Sequence, residues 1–212
     1  MIERATGLIL RTRRLTETSL IVHWLTPELG RLATVAKGAL RPKSPFRGKL
    51  DLFYQADFSF SRSRRSDLHT LREVTLRQTH PGLRQDLARL RVAACAARWI
   101  ELATETETPL PEVSALMNRL LEHLDTQPAT ASVMFAFEVA LLTISGLRPA
   151  FASASVSPGT RKVLTLLGAS DWAALDRLKL SEAQVRELDH YLQPVLLDAW
   201  RTLPQGRAAA LT

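Results

Sequence analysis

The spacing of apolar residues changes at Pro81, and that change limits what the chain can fold into. Before it, short β-compatible runs recur between turn signals: "TGLILRTRRL", "SLIVHWLTPELG", "RLATVAKGAL", "LFYQADFSFS" and "LHTLREVTLRQT". The fourth run alternates well. Phe53, Gln55, Asp57 and Ser59 share one face, and Tyr54, Ala56, Phe58 and Phe60 the other, as a strand period of two requires. After Pro81 the spacing turns helical. "LRQDLARLRVAACAARWIELATET" brings Leu83, Leu87, Leu90, Ala94, Ala97 and Ile100 or Glu101 near one stripe, and "PLPEVSALMNRLLEHLDT" does the same with Val113, Leu116, Leu120 and Leu124. "TASVMFAFEVALLTISG" is apolar nearly all round and reads as a buried central helix ended by Gly146. "SPGTRKVLTLLG" reads as a short helix. "LSEAQVRELDHYLQPVLLDAW" reads as a helix capped at Ser181 and interrupted at Pro194.

Five strands in about 75 residues, joined by loops rich in Gly, Pro and Ser, fit a small closed barrel. The OB-fold is the commonest such barrel that handles nucleic acids. The expected architecture is therefore α+β in two domains: an OB-fold β-barrel over residues 1–80 and an all-α helical domain over residues 81–212. A chain of 212 residues with 46% apolar side chains can bury the cores this needs. No run of 18 apolar residues occurs, so no membrane partner is expected. The N-terminal "MIERATGLILRTRR" has only a short apolar block before Arg11 and does not read as an export signal. Cys95 is the sole cysteine, which excludes an intramolecular disulfide. A cytoplasmic location is the simplest expectation.

Charge is divided as sharply as period. Residues 1–80 carry fifteen Lys/Arg and seven Asp/Glu, a balance of +8, whereas residues 81–212 carry thirteen and fourteen, a balance of −1. A basic surface confined to the barrel half points to a polyanionic partner, or else to a solvated basic face with no partner. The densest part is "AKGALRPKSPFRGKL", with Lys37, Arg41, Lys43, Arg47 and Lys49 and no acid. Cations there would neutralise phosphates and release counterions. Arg41, Arg47 and nearby Arg31 can fork onto phosphate or stack on a base. Pro42 and Pro45 stiffen the loop, and Gly38 and Gly48 would allow close backbone approach. Phe46, amid the cations, is either a stacking platform for a base or an anchor that packs the loop onto the barrel. "SRSRRSD" puts Arg62, Arg64 and Arg65 on a hairpin tip, as a second basic element or a solubilising turn. Arg11, Arg13 and Arg14 form a third cluster, with Arg11 and Arg13 on one strand face and Arg14 on the other.

The motifs of catalysis are missing. His23, His69, His80, His123 and His190 form no spaced metal motif, and no nucleophile elbow or Walker loop occurs. Asp51, Asp57 and Asp67 make a poor cluster for a two-metal nuclease. His23 and His69 read as strand residues and Cys95 as a small buried helix residue. The expectation is a protein that is not an enzyme and uses no cofactor.

Four stretches, "GLILRTRRLTETSLIVHWLTPELGRLATVAKGALRPKS", "RGKLDLFYQADFSF", "DLHTLREV" and "ISGLRPAF", stand in an order and spacing that resemble the RecO family of recombination mediator proteins. The resemblance implies an OB-fold followed by helices. It implies binding of single- and double-stranded DNA, annealing of complementary strands, and, with RecR, loading of RecA onto DNA coated by single-strand-binding protein. A nucleoid-associated place in the cytoplasm follows from the same resemblance. Many members carry a four-cysteine zinc module after "GLRP"; here the stretch is "AFASASVSPGT", without cysteine, so zinc is not carried over. The acidic, hydrophobic tail of single-strand-binding protein would suit a cationic rim beside an apolar pocket. Arg98 with Trp99, and Arg148, are the candidates for that contact. An OB-fold RNA-binding protein of ribosome or translation assembly is the alternative reading, and a metal-dependent nuclease a more distant one.

Overall fold

The computed structural model describes residues 2–169, 171–175 and 177–212. Five strands form where the period-two runs lie: β1 (Ile2–Arg14), β2 (Leu20–Thr26), β3 (Gly30–Ala36), β4 (Gln55–Ser61) and β5 (Leu68–Gln78). They close into a barrel in the order β1-β2-β3-β5-β4. β1 pairs antiparallel with both β2 and β4, while β3 and β5 run parallel through Ala33–Leu68, Thr34–His69 and Val35–Thr70. Closure leaves few edges and gives the OB-fold barrel of an α+β protein, as the strand pattern anticipates.

Aromatic residues fill the barrel. Trp24 stacks on Phe58 at 4.0 Å, and Phe58 lies 5.7 Å from Phe60. The Trp24 indole N–H is satisfied by donating to Thr34 Oγ1 at 2.9 Å, which removes the penalty of burying it. Ile9, Val22, Leu32, Leu71 and Val74 complete the cluster. The alternation read along β4 holds for Ala56, Phe58 and Phe60. Phe53 departs from it: the residue precedes the strand, turns with φ 63° and is buried. A register shift between Ile9 and Arg11 keeps Ile9 opposite Trp24 while Arg11 pairs with His23.

Helices follow: α1 (Leu87–Ala103), α2 (Pro111–Thr126), α3 (Ala131–Ile144), α4 (Pro158–Gly168), α5 (Trp172–Leu175), α6 (Glu182–Trp200) and α7 (Arg207–Ala210). On α1 the buried residues are Val92, Ala93, Cys95, Ala96, Ala97, Trp99 and Ile100, whereas Leu87 is 60% exposed and Ala94 is exposed. Of the expected stripe, Leu83, Ala97 and Ile100 are buried and Leu87 and Ala94 are not, while Val92 and Trp99 join the core outside it. α6 opens with a capping box between Ser181 and Gln184 and runs through Pro194 without the expected interruption. A proline costs the helix one donor and crowds the preceding turn, but it does not end this one. None of the described helices is long and apolar enough to cross a membrane.

The chain divides into two compact units. One comprises the chain up to Pro81 together with Thr104–Ala115; the other comprises Gly82–Ala103 and Leu116–Thr212. The segment between α1 and α2, within the range expected to be helical, therefore belongs with the barrel. In the helical unit, α3 buries Glu138 completely. Arg207 of α7 donates to both its oxygens, at 2.6 and 2.9 Å, and the Trp99 indole N–H donates to Oε1 at 3.0 Å. Arg207 also donates to Asp189. Burial pushes the Glu138 carboxyl above its ordinary range, and the donors from Arg207 and Trp99 oppose that. Burial pushes the Cys95 thiol up to about 12, so the thiolate that makes a cysteine reactive does not form at neutral pH.

Candidate nucleic-acid interface

The β3–β4 connection is a succession of tight turns. Backbone N–H groups of Arg41, Ser44, Arg47 and Lys49 each donate to the carbonyl three residues back, at 3.0–3.2 Å. Leu40 N–H donates to Thr18 O at 2.9 Å, which ties the loop to the β1–β2 turn. Lys37, Arg41, Lys43 and Arg47 are exposed. Arg47 Nη1 donates to Pro42 O at 3.3 Å, and Lys49 Nζ donates to Val74 O at 3.1 Å, so Lys49 spends one donor on the barrel. Gly38 and Gly48 have φ of 66° and 72°. Nothing approaches the place of a Cβ on Gly48 within 4 Å, so a left-handed turn and not close packing calls for glycine there.

Phe46 is 7% exposed and belongs to the barrel's core cluster. It anchors the loop, and its face is not offered as a stacking platform. It lines, with Arg41 and Arg47, a cleft of about 370 Å³. The burial follows from the turns around it, which point the ring inward under a shell of cations.

Register places the β1 arginines beside this loop. Arg13 lies opposite Ile21 and Arg14 opposite Leu20, and Leu20 in turn pairs with Ala36, the last residue before Lys37. Arg11 and Arg13 share a face and Arg14 takes the other; all three are exposed.

The β4–β5 loop carries Arg64 and Arg65 exposed, but Arg62 is half-buried and committed. Its Nε and Nη2 donate to the two Glu3 oxygens at 2.7 and 3.1 Å, and its Nη1 donates to Glu107 at 2.6 Å. The Arg62 hydrogen bond holds the Glu3 carboxyl below its usual range, and Glu3 in return raises Arg62. Arg31 is likewise engaged: its Nε donates to Thr104 Oγ1 at 2.8 Å and its Nη2 to the Thr104 carbonyl. The expected cations thus sort into exposed ones and structural ones. His69 went unmarked in the sequence because it looks like one strand residue among others. It is 2% exposed, stacks on Phe60 at 5.3 Å and sits 2.9 Å from Glu107 Oε1.

The candidates on the helical unit do not converge. Trp99 is fully buried and bonded to Glu138, so it cannot line a docking surface. Arg98 is exposed and pairs with Glu101 at 2.8 Å. Arg148 lies over the Phe151 ring at 5.1 Å, in the stretch after α3. Residues 150–160 there form a short turn and the start of α4, capped by Ser157 accepting from Thr160 N–H at 3.3 Å. That stretch holds no thiol, imidazole or carboxylate, so it does not fit a zinc ion. Among the described residues no group of three or more His, Cys, Asp or Glu is placed to hold a metal.

Family comparisons agree with the order of these elements. A family model described as "Recombination protein O N terminal" matches residues 1–80, and one described as "Recombination protein O C terminal" matches residues 84–156. Similar proteins include the DNA repair protein RecO of Rhodopirellula baltica, 33% identical over 144 residues, covering 68% of this chain and 53% of the relative. That of Salinibacter ruber is 33% identical over 150 residues, 70% of this chain and 58% of the relative. That of Bacillus subtilis is 29% identical over 149 residues, 70% and 58% respectively. The match spans little more than half the length of these relatives.

Proposed function

Because the chain belongs to the RecO family, we propose that it acts in recombinational DNA repair as a DNA-binding mediator without covalent chemistry of its own. The observation that carries this reading is the exposed basic surface on the barrel, where Lys37, Arg41, Lys43 and Arg47 sit next to Arg13 and Arg14. Charges in that setting hold a phosphate backbone without reading its sequence. Such a surface takes single or double strands, and by neutralising both partners it lowers the repulsion between complementary strands. Arg11, Arg64 and Arg65 extend it. Annealing of complementary strands follows, as does loading of RecA, with RecR, onto DNA coated by single-strand-binding protein. The helical unit is the place we assign to the protein partners, with Arg98 and Arg148 as exposed candidates for the acidic tail of single-strand-binding protein. Work of this kind belongs at the nucleoid in the cytoplasm.

Incubation of the purified protein with complementary single strands tests the reading. Duplex should accumulate without loss of strand length, and more slowly as salt rises. Preference for RNA over DNA would favour an RNA-assembly role, and metal-dependent shortening of the strands would overturn a mediator without catalysis.

A further inference from the structure

Between α1 and α2 the chain returns to the barrel and lies along β3. β5 pairs with β3 only from Ala33 onward, and next to Arg31 its place is taken by Thr106, in a parallel bridge. Glu107 N–H donates to Arg31 O and Leu110 N–H to Pro27 O, both at 2.9 Å. Gly30 makes this approach possible. Its φ is +67°, and a Cβ there would stand 1.8 Å from the Thr108 carbonyl oxygen.

Glu107 itself has φ 55°, a left-handed backbone that a residue with a side chain adopts at a cost of ~1–2 kcal/mol. The conformation delivers its carboxylate to two donors. Arg62 Nη1 donates to Oε2 at 2.6 Å, and His69 Nε2 lies 2.9 Å from Oε1. The Ser63 N–H donates to His69 Nδ1 at 3.3 Å, so Nδ1 is the acceptor nitrogen and Nε2 carries the hydrogen. Glu3 grips the other edge of Arg62 and fixes the direction in which Nη1 points. A guanidinium N–H and an imidazole N–H aimed at the two oxygens of one anion also suit the two free oxygens of a phosphodiester. The β4–β5 loop is one of the two that flank nucleic acid on OB-fold barrels.

We propose that Arg62 and His69 form a phosphate subsite of the nucleic-acid face, and that Glu107 is a resident anion which a backbone phosphate displaces. The proposal rests on the DNA-binding reading above and deepens it. The connector is then a built-in competitor: the subsite opens only when Glu107 leaves, and apparent affinity falls by the fraction of molecules in which it is closed.

Titration of the full chain with a fluorescent oligothymidylate single strand at low salt tests this. Glu107→Gln should bind roughly fivefold tighter or more, the scale of a modest coupling between ligands. Its log–log salt slope should steepen by about 1, for one added phosphate. Glu105→Gln removes the same charge two residues away from an exposed side chain and should change affinity by less than about twofold. Adding Arg62→Ala to Glu107→Gln should abolish the gain. Glu107→Asn, which tolerates the left-handed backbone, should reproduce the gain if Gln disturbs the fold. An effect of Glu107→Gln no larger than that of Glu105→Gln, or a gain that survives Arg62→Ala, would overturn the subsite while leaving DNA binding intact. Failure of both wild type and Glu107→Gln to bind would remove the DNA-binding reading and the subsite together.

Discussion

At the scale of the residue, cations of one charge do two different jobs. Arg41 and Lys43 point into solvent from a loop of tight turns, whereas Arg62 and Arg207 are spent on carboxylates of their own chain. The first kind meets a phosphate directly; Arg62 meets one only when Glu107 leaves it. Replacing Arg41 and Lys43 together with Ala should weaken DNA binding similarly for all sequences and make the salt slope shallower by ~1–2. A filter-binding series across salt concentrations checks this, and an unchanged slope would take the loop out of the interface. The sequence marked the loop by composition but left Phe46 open between platform and anchor, and misplaced Trp99 at a surface. Phe46 and Trp99 stand beside arginines in the chain, yet both rings are buried, because their neighbours in space lie far off in sequence.

At the scale of the element, buried charge matters most. α3 was legible as a central helix from its apolar run, but the meaning of its one acid was not. Glu138 is tolerated there because Arg207, from a four-residue helix near the end of the chain, meets both its oxygens. Removing Glu138 leaves Arg207 buried with Asp189 as its remaining carboxylate, so the cost is smaller than the ~3–5 kcal/mol of a buried charge with no partner. Glu138→Ala should therefore lower unfolding free energy by ~1–3 kcal/mol in urea titrations, and a loss below ~1 kcal/mol would show that Asp189 alone satisfies Arg207. α1 teaches the same lesson from its apolar side. Its sequence permits more than one stripe, and the facing helices choose the one bearing Val92, Cys95, Trp99 and Ile100.

At the scale of the whole molecule, the units are interleaved in sequence, since Thr104–Ala115 returns to the barrel after α1. A fragment of residues 1–80 would therefore lack a native part of the first unit. The carbonyls of Arg31 and Pro27 would lose the N–H donors of Glu107 and Leu110. Two such bonds contribute about 2 kcal/mol together. A fragment in which residues 104–115 are rejoined to residues 1–80 by a flexible linker should be more stable by roughly that amount. Fluorescence of Trp24, the only tryptophan in either fragment, reports the urea midpoint of each. Equal midpoints would show that the connector adds nothing to the barrel.

The sequence by itself determined the class of each half, the order of the strands and long helices along the chain, the excess of positive charge in the first 80 residues, and the kinship with RecO. These are local properties: hydrophobic period, turn residues and composition act over a few neighbours. Tertiary structure alone decided which arginines are exposed, where the aromatic rings point, that Glu138 meets Arg207, and that Glu107 reaches Arg62 and His69. Those outcomes depend on contacts between residues 38 to 69 positions apart, and a local pattern carries no record of which distant donor will face a given carboxylate once the chain has closed.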